Sequence, residues 1–284
     1  MENFFKNPEA LVDKLKNEGY VIGERLSIAL YLALAKGKPL FLEGEAGVGK
    51  TEIAKTLASI LKTPLIRLQC YEGLDISQSS YEWNYGKQLI SIQSTDNKNI
   101  DLFSKEFLIE RPLLKALRQR PSERAVLLID ELDRADEAFE AYLLEFLSDW
   151  QITIPEIGSI KTEEPPIVVI TSNRTREVHD ALKRRCYYSW VDYPDKDTEL
   201  EILKHRVPQT GPTLQTELVN FVQHLREEEL YKSPGIAETI DWAEALVELN
   251  CVALDPQTID STIGVLLKYQ DDIAKIQGLS LIHI

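Results

Sequence analysis

The sequence predicts an α/β fold: a parallel five-stranded sheet flanked by helices, with a small all-helical unit after it. Three observations lead there. Short apolar runs alternate with helical patterns from about residue 39 to residue 191. Several of these runs are continuous rather than alternating, as expected for parallel strands buried on both faces. Beyond Tyr193-Pro194 the pattern turns helical throughout.

The first run, residues 39–43, is followed by a glycine-rich turn. Residues 52–61 come next, with Ile53, Leu57, Ile60 and Leu61 on one helical face. The other runs are 65–69, 125–130, 167–172 and 187–191, each short and bounded by turn residues. Residues 151–160 set alternating isoleucines around a Pro/Gly turn and read as a hairpin. After a boundary near Asp192, residues 195–206, 213–229, 236–250 and 256–276 read as helices, separated by Pro/Gly punctuation at 208–212 and Ser233-Pro234-Gly235. The expected organisation is a core over 1–192 and a helical unit over 193–278. Residues 279–284 read as an apolar docking tail or as a non-native one, the second being preferred. No internal repeat and no low-complexity segment interrupts this plan.

The chain has 284 residues, enough for one large domain or two unequal ones. Its formal charge of −14 repels bare phosphate backbones, so nucleic acid is not the expected partner. Cys70, Cys186 and Cys251 are scattered, which suits free thiols in a reducing compartment and argues against zinc. No apolar run approaches the roughly 20 residues of a membrane helix. The first residues, Met1 to Lys6, are too polar for a signal peptide. A cytoplasmic protein without membrane insertion is expected.

The chemistry is concentrated in the turn after the first run. Gly44-Glu45-Ala46-Gly47-Val48-Gly49-Lys50-Thr51, followed by Glu52, fits the phosphate-loop pattern G-x-x-x-x-G-K-[ST]. Its glycines let successive N–H groups face phosphate oxygens, and the next helix points its positive end at them. Lys50 can reach the β/γ-phosphates and the Thr51 hydroxyl can ligate Mg2+. The strand before and the helix after supply the context that the motif needs. ATP with Mg2+ is the expected occupant.

About 80 residues on, residues 125–129 carry an apolar strand into Asp130 and Glu131. Asp130 would hold a water of the Mg2+ shell, since Mg2+ keeps most of its waters. Glu131 would orient and polarise the attacking water. Residues 167–172 end in Asn173, which would sense the γ-phosphate or help place that water; a turn-forming asparagine is the plainer alternative.

These pieces in this order, with Lys183-Arg184-Arg185 after them, resemble AAA+ ATPases, with a helical lid after the core. Within that group the chain is similar to the MoxR family. More narrowly it looks like the CoxD-type branch, on residues 41–52, 68–75, 81–85 and 234–239. The resemblance implies a ring, usually a hexamer, with ATP between neighbours. Arg185, with Arg184, would then be a finger reaching the neighbour's γ-phosphate; complementing a helix dipole is the alternative. It also implies a von Willebrand factor A-domain partner and a client enzyme complex to be matured, a molybdenum hydroxylase such as carbon monoxide dehydrogenase being one example. Residues 81–92, with Trp83 and Tyr85, and the 151–160 hairpin resemble the family's client-contacting inserts; for the two aromatics, packing or a plain surface position is the alternative. One departure stands out. Many MoxR relatives carry a lid arginine in Ser-Pro-Arg, where this chain has Ser233-Pro234-Gly235. Two other classes are kept open: a nucleic-acid-coupled AAA+ motor, and a nucleotide-gated binding module with little turnover.

Overall fold

The computed structural model describes residues 5–94, 100–119 and 124–278; the 279–284 tail lies outside them. The chain divides into two compact units. The first takes the chain up to Leu11, Glu24–Glu43 and Thr51–Trp190, and the second takes Val12–Gly23, Gly44–Lys50 and the chain from Val191 on.

The first unit is built on a sheet. Its strands are β1 (Leu40–Gly44), β2 (Leu65–Gln69), β5 (Val126–Asp130), β8 (Ile167–Ser172) and β9 (Tyr187–Val191), in the order β2-β5-β8-β1-β9. The pairs β2–β5, β5–β8 and β1–β8 are parallel. β5 and β8 lie inside the sheet and are buried along their whole length, which is why they read as unbroken apolar runs. β2, at the edge, leaves Leu65 and Arg67 exposed while Ile66 and Leu68 enter the core. The core gathers Phe41, Ile66, Leu127, Ile129, Val168 and Ile170 with Leu143 and Phe146 of the helix Glu137–Asp149. Parallel strands bring all their C-terminal ends to one edge, so Gln69 pairs with Asp130, and Glu43 with Ser172, at that edge.

Two smaller ladders complete this unit. β3 (Tyr81–Trp83) pairs antiparallel with β4 (Leu108–Glu110), a strand too short to leave a period in the sequence. Trp83 is buried, edge-on to Phe103 with ring centroids 5.2 Å apart, so packing accounts for it; Tyr85 is exposed. The expected hairpin forms as β6 (Gln151–Ile154) and β7 (Gly158–Lys161), with Ile152 and Ile154 turned into the core.

The second unit is helical over Lys196–Arg206, Pro212–Glu227, Ile236–Glu248, Pro256–Leu266 and Gln270–Gly278. Asp195 and Asp255 cap two of these helices by accepting the Thr198 and Thr258 N–H groups. The single helix expected over 256–276 is two. Leu267 is extended, at φ −103° and ψ 136°, and is buried, so the break turns its side chain into a core shared with Leu218, Trp242 and Ile263. Glu199 is fully buried and clamped by both terminal nitrogens of Arg226 at 2.8 Å, with Gln223 and Thr239 donating to it as well. Breaking such a pair would leave an uncompensated buried charge. Arg226 Nε also donates to the Pro234 carbonyl at 2.9 Å and so fixes the stretch leading to Gly235.

Candidate nucleotide site

In the first unit, β5 and β8 deliver the carboxylates and their partners. Asp130, buried at the end of β5, accepts from Thr51 Oγ1 at 3.1 Å and Thr171 Oγ1 at 2.6 Å on Oδ1. Its Oδ2 accepts from Arg67 Nε at 3.0 Å and Nη2 at 2.5 Å. Glu131 follows in the left-handed region, at φ 55° and ψ 50°, a costly backbone state for a residue with a side chain. Its N–H donates to Thr171 Oγ1 at 3.0 Å, which helps to hold it there. The Glu131 carboxylate faces Asn173 Nδ2 at 3.5 Å, Gln69 Nε2 at 3.1 Å and Arg134 Nε at 3.0 Å.

Asn173 is anchored from below. Asp133, buried, accepts the Asn173 N–H at 3.1 Å, the Thr175 N–H at 2.8 Å and the Thr175 hydroxyl at 2.7 Å. Burial alone would raise the Asp133 carboxyl, but the hydrogen bonds from Thr175 and Asn173 outweigh it and hold it below its ordinary 3.8. Cys70, beside this group, is pushed up to about 12 by burial first and then by Asp130, Asp133 and Glu131, so it is a thiol and no nucleophile.

In the second unit, Gly44–Lys50 forms a tight loop. Gly47 and Gly49 sit at φ +80° and +91°, where a side chain would be strained. Lys50 is buried and its ammonium donates to the Gly44 and Glu45 carbonyls at 2.8 and 2.5 Å. The N-terminal turn of the helix Ile236–Glu248 packs on this loop. The Ala237 N–H donates to the Gly47 carbonyl at 3.0 Å, and Glu238, which caps its own helix through the Gly235 N–H, stands beside Gly47. A Cβ on Gly235 would come within 2.8 Å of the Gly47 carbonyl carbon. Gly235 therefore lets two backbones touch.

Several residues expected in the site come together: Thr51, Asp130, Glu131 and Asn173 in the first unit, and Gly44, Glu45, Gly47 and Lys50 in the second. Val48 is buried within the loop region, Ala46 is half-buried, and Glu52 is engaged by Lys55 at 3.0 Å. Arg184 and Arg185 are exposed at the opposite edge of the sheet. Arg185 donates to Ser148 Oγ at 2.6 Å and the Ala181 carbonyl at 3.0 Å, near Pro39 and Pro165, which precede β1 and β8. Arg67, Gln69, Thr171, Asp133 and Arg134 were not expected in the site. The only signal for the first two was a pair of polar residues, two apart, in an edge strand.

The residues present suit a hard cation and a polyphosphate. Thr51 and Asp130 offer oxygen donors, and among the described residues no cluster of three or more His, Cys, Asp or Glu is set to hold a metal. Mg2+ needs no such cluster when waters and phosphates fill most of its shell. Among the described residues no helix is long and apolar enough to cross a membrane.

A parallel sheet, a glycine loop leading from β1 into a helix and paired acids at the end of β5 define a P-loop nucleotide-binding fold of the AAA+ type. Residues 39–186 match the AAA domain of the dynein-related subfamily, and the chain belongs to that family. An uncharacterized protein of Staphylococcus haemolyticus is 27% identical over 220 residues, 75% of this chain and 77% of its own. An uncharacterized protein of Staphylococcus aureus is likewise 27% identical over 219 residues, covering 75% and 76%. Two point mutants of Thermotoga maritima RuvB share the fold at a TM-score of 0.51, with 19% and 20% identity. They cover 94% and 90% of this chain and 74% and 73% of their own.

Proposed function

We propose that the chain hydrolyses ATP as one subunit of a ring and uses the cycle to remodel a protein client, in the manner of MoxR chaperones of the CoxD-type branch. The observation that supports the hydrolytic part of the reading is the arrangement at the ends of β5 and β8: Thr51 and Thr171 hydroxyls on Asp130, with Asn173 facing Glu131. Lys50 and the loop N–H groups would hold the β- and γ-phosphates. Mg2+ would neutralise charge on the phosphate oxygens, with Thr51 as ligand and Asp130 holding its water. Glu131 would accept a hydrogen bond from the attacking water and align it, with Asn173 steadying the carboxylate. Arg185 of a neighbouring subunit would offset the charge developing on the γ-phosphate.

A von Willebrand factor A-domain partner and a client complex, such as a molybdenum hydroxylase, belong to the same proposal. The net charge of −14 weighs against the alternative of a nucleic-acid motor. Replacing Glu131 by Gln should leave ATP affinity within a few-fold and lower turnover at least about a hundredfold, an effect the size of losing a general base. Phosphate release and equilibrium binding of a fluorescent ATP analogue check both halves. Turnover like that of wild type in this variant would sink the hydrolytic assignment.

A further inference from the structure

Asp130 is the carboxylate that the proposed reaction needs for the Mg2+ water shell, and its acceptor capacity is already full. A carboxylate offers about four lone-pair directions on its two oxygens. Four donors take them: the Thr51 and Thr171 hydroxyls on Oδ1, and Arg67 Nε–H and Nη2–H on Oδ2. A metal-bound water is itself a donor, so one of the four must withdraw before it can bind Asp130.

The four are not equally free to move. Thr171 is buried and also accepts the Glu131 N–H, so turning it away would unseat Glu131. Thr51 is held by the first turn of the helix Lys50–Leu61, and its oxygen is needed at the metal. Arg67 stands on the edge strand β2 with its side chain 55% exposed. Its Nη2 already shares itself with Gln69 Oε1 at 2.5 Å, a ready partner once Oδ2 is given up.

We infer that Arg67 is the internal counter-ion of the metal site, holding Asp130 before Mg2+ arrives and yielding Oδ2 when the Mg2+-nucleotide binds. The inference rests on the nucleotide reading above. A carboxylate this buried needs a cation, and a guanidinium stays charged at every relevant pH. The same positive charge then opposes a divalent cation a few ångströms away. Arg67 therefore acts through Asp130 as a positioning residue and sets how much Mg2+ the site requires.

The test reads metal dependence rather than turnover. Melting temperatures of wild type, Arg67→Ala and Arg67→Gln are compared in EDTA and with Mg2+ plus a non-hydrolysable ATP analogue. The Mg2+ concentration for half-maximal binding of a fluorescent ATP analogue is measured alongside. Both variants should melt below wild type in EDTA, and the gap should shrink when Mg2+-nucleotide is bound. Half-saturation in Mg2+ should fall about three- to tenfold, as expected when a nearby like charge is removed. An equal melting deficit in both conditions with an unchanged Mg2+ requirement would overturn the inference, and so would a raised Mg2+ requirement. If Arg67→Ala does not fold, Arg67→Gln, which keeps a donor without the charge, gives the same comparison. A wild type without Mg2+-dependent nucleotide binding would overturn the nucleotide reading itself, whereas the other two results overturn the inference alone.

Discussion

The Asp133 carboxylate collects three hydrogen bonds from the segment that carries Asn173. Those bonds depend on charge, because only the ionised form accepts all of them without a competing proton. The folded carboxyl titrates below its ordinary 3.8, so its contribution to stability is fully present above that value and fades as pH falls through the lower folded value. Asp133→Asn should therefore cost about 1–3 kcal/mol at neutral pH, since an amide nitrogen is turned against an N–H or hydroxyl donor. Urea melts at several pH values should show that cost constant above about pH 5 and narrowing in more acid solution. A gap that stays constant, or widens, toward acid would refute this role. Asp130 and Glu131 were legible in the sequence because two acids close an otherwise apolar run. Thr171 and Asp133 were not: a threonine in a strand looks like an ordinary β-former, and an aspartate after a strand looks like a turn residue.

Elements were legible where burial imposes a period. β5 and β8 announced themselves as unbroken apolar runs, and the helices of the second unit by their helical patterning and Pro/Gly breaks. β4 and the break at Leu267 were hidden, because three residues carry no period and a buried leucine looks the same at a helix end as within one. The start of the helix Ile236–Glu248 was visible as Pro/Gly punctuation, but the closeness of Gly235 to another stretch of backbone was not; the structure shows it. Its first turn bonds the Gly47 carbonyl, and Gly235 lies where a Cβ would meet the Gly47 carbonyl carbon at 2.8 Å and oxygen at 2.9 Å. Gly235→Ala should thus push the helix start off the loop, costing about 1–3 kcal/mol as overpacked sites do. Nucleotide affinity should weaken with it. Gly211→Ala is the matched control: Gly211 caps the helix Pro212–Glu227 with open space around it, so the change should cost only the glycine-to-alanine difference at a cap, under about 1 kcal/mol. Chemical denaturation and titration with a fluorescent nucleotide would measure both, and equal effects at the two glycines would remove the close contact as the explanation.

At the scale of the whole molecule, the position of Arg185 limits which nucleotide it can serve. It lies beside Pro39 and Pro165, ahead of β1 and β8, whereas Asp130 and Glu131 close the far end of β5. A strand of five residues separates those edges, about 16 Å at the usual rise per residue. An arginine at that edge is badly placed for phosphates gathered near Asp130 of its own chain, so the proposed role for it requires a neighbouring copy. If the chain assembles head to tail, each active interface takes Glu131 from one subunit and Arg185 from the next. Arg185→Ala and Glu131→Gln should then each bind ATP with little turnover. Mixed in equal amounts under conditions that let subunits exchange, they should recover activity, because about one interface in four pairs an intact Glu131 with an intact Arg185. Phosphate release from the mixture, compared with each variant alone at the same total concentration, reads the result directly. Recovery requires the arginine to act in trans. If the mixture is no more active than its components while exchange is verified by mass, Arg185 is a surface residue held by Ser148 and has no part in the reaction of a neighbour.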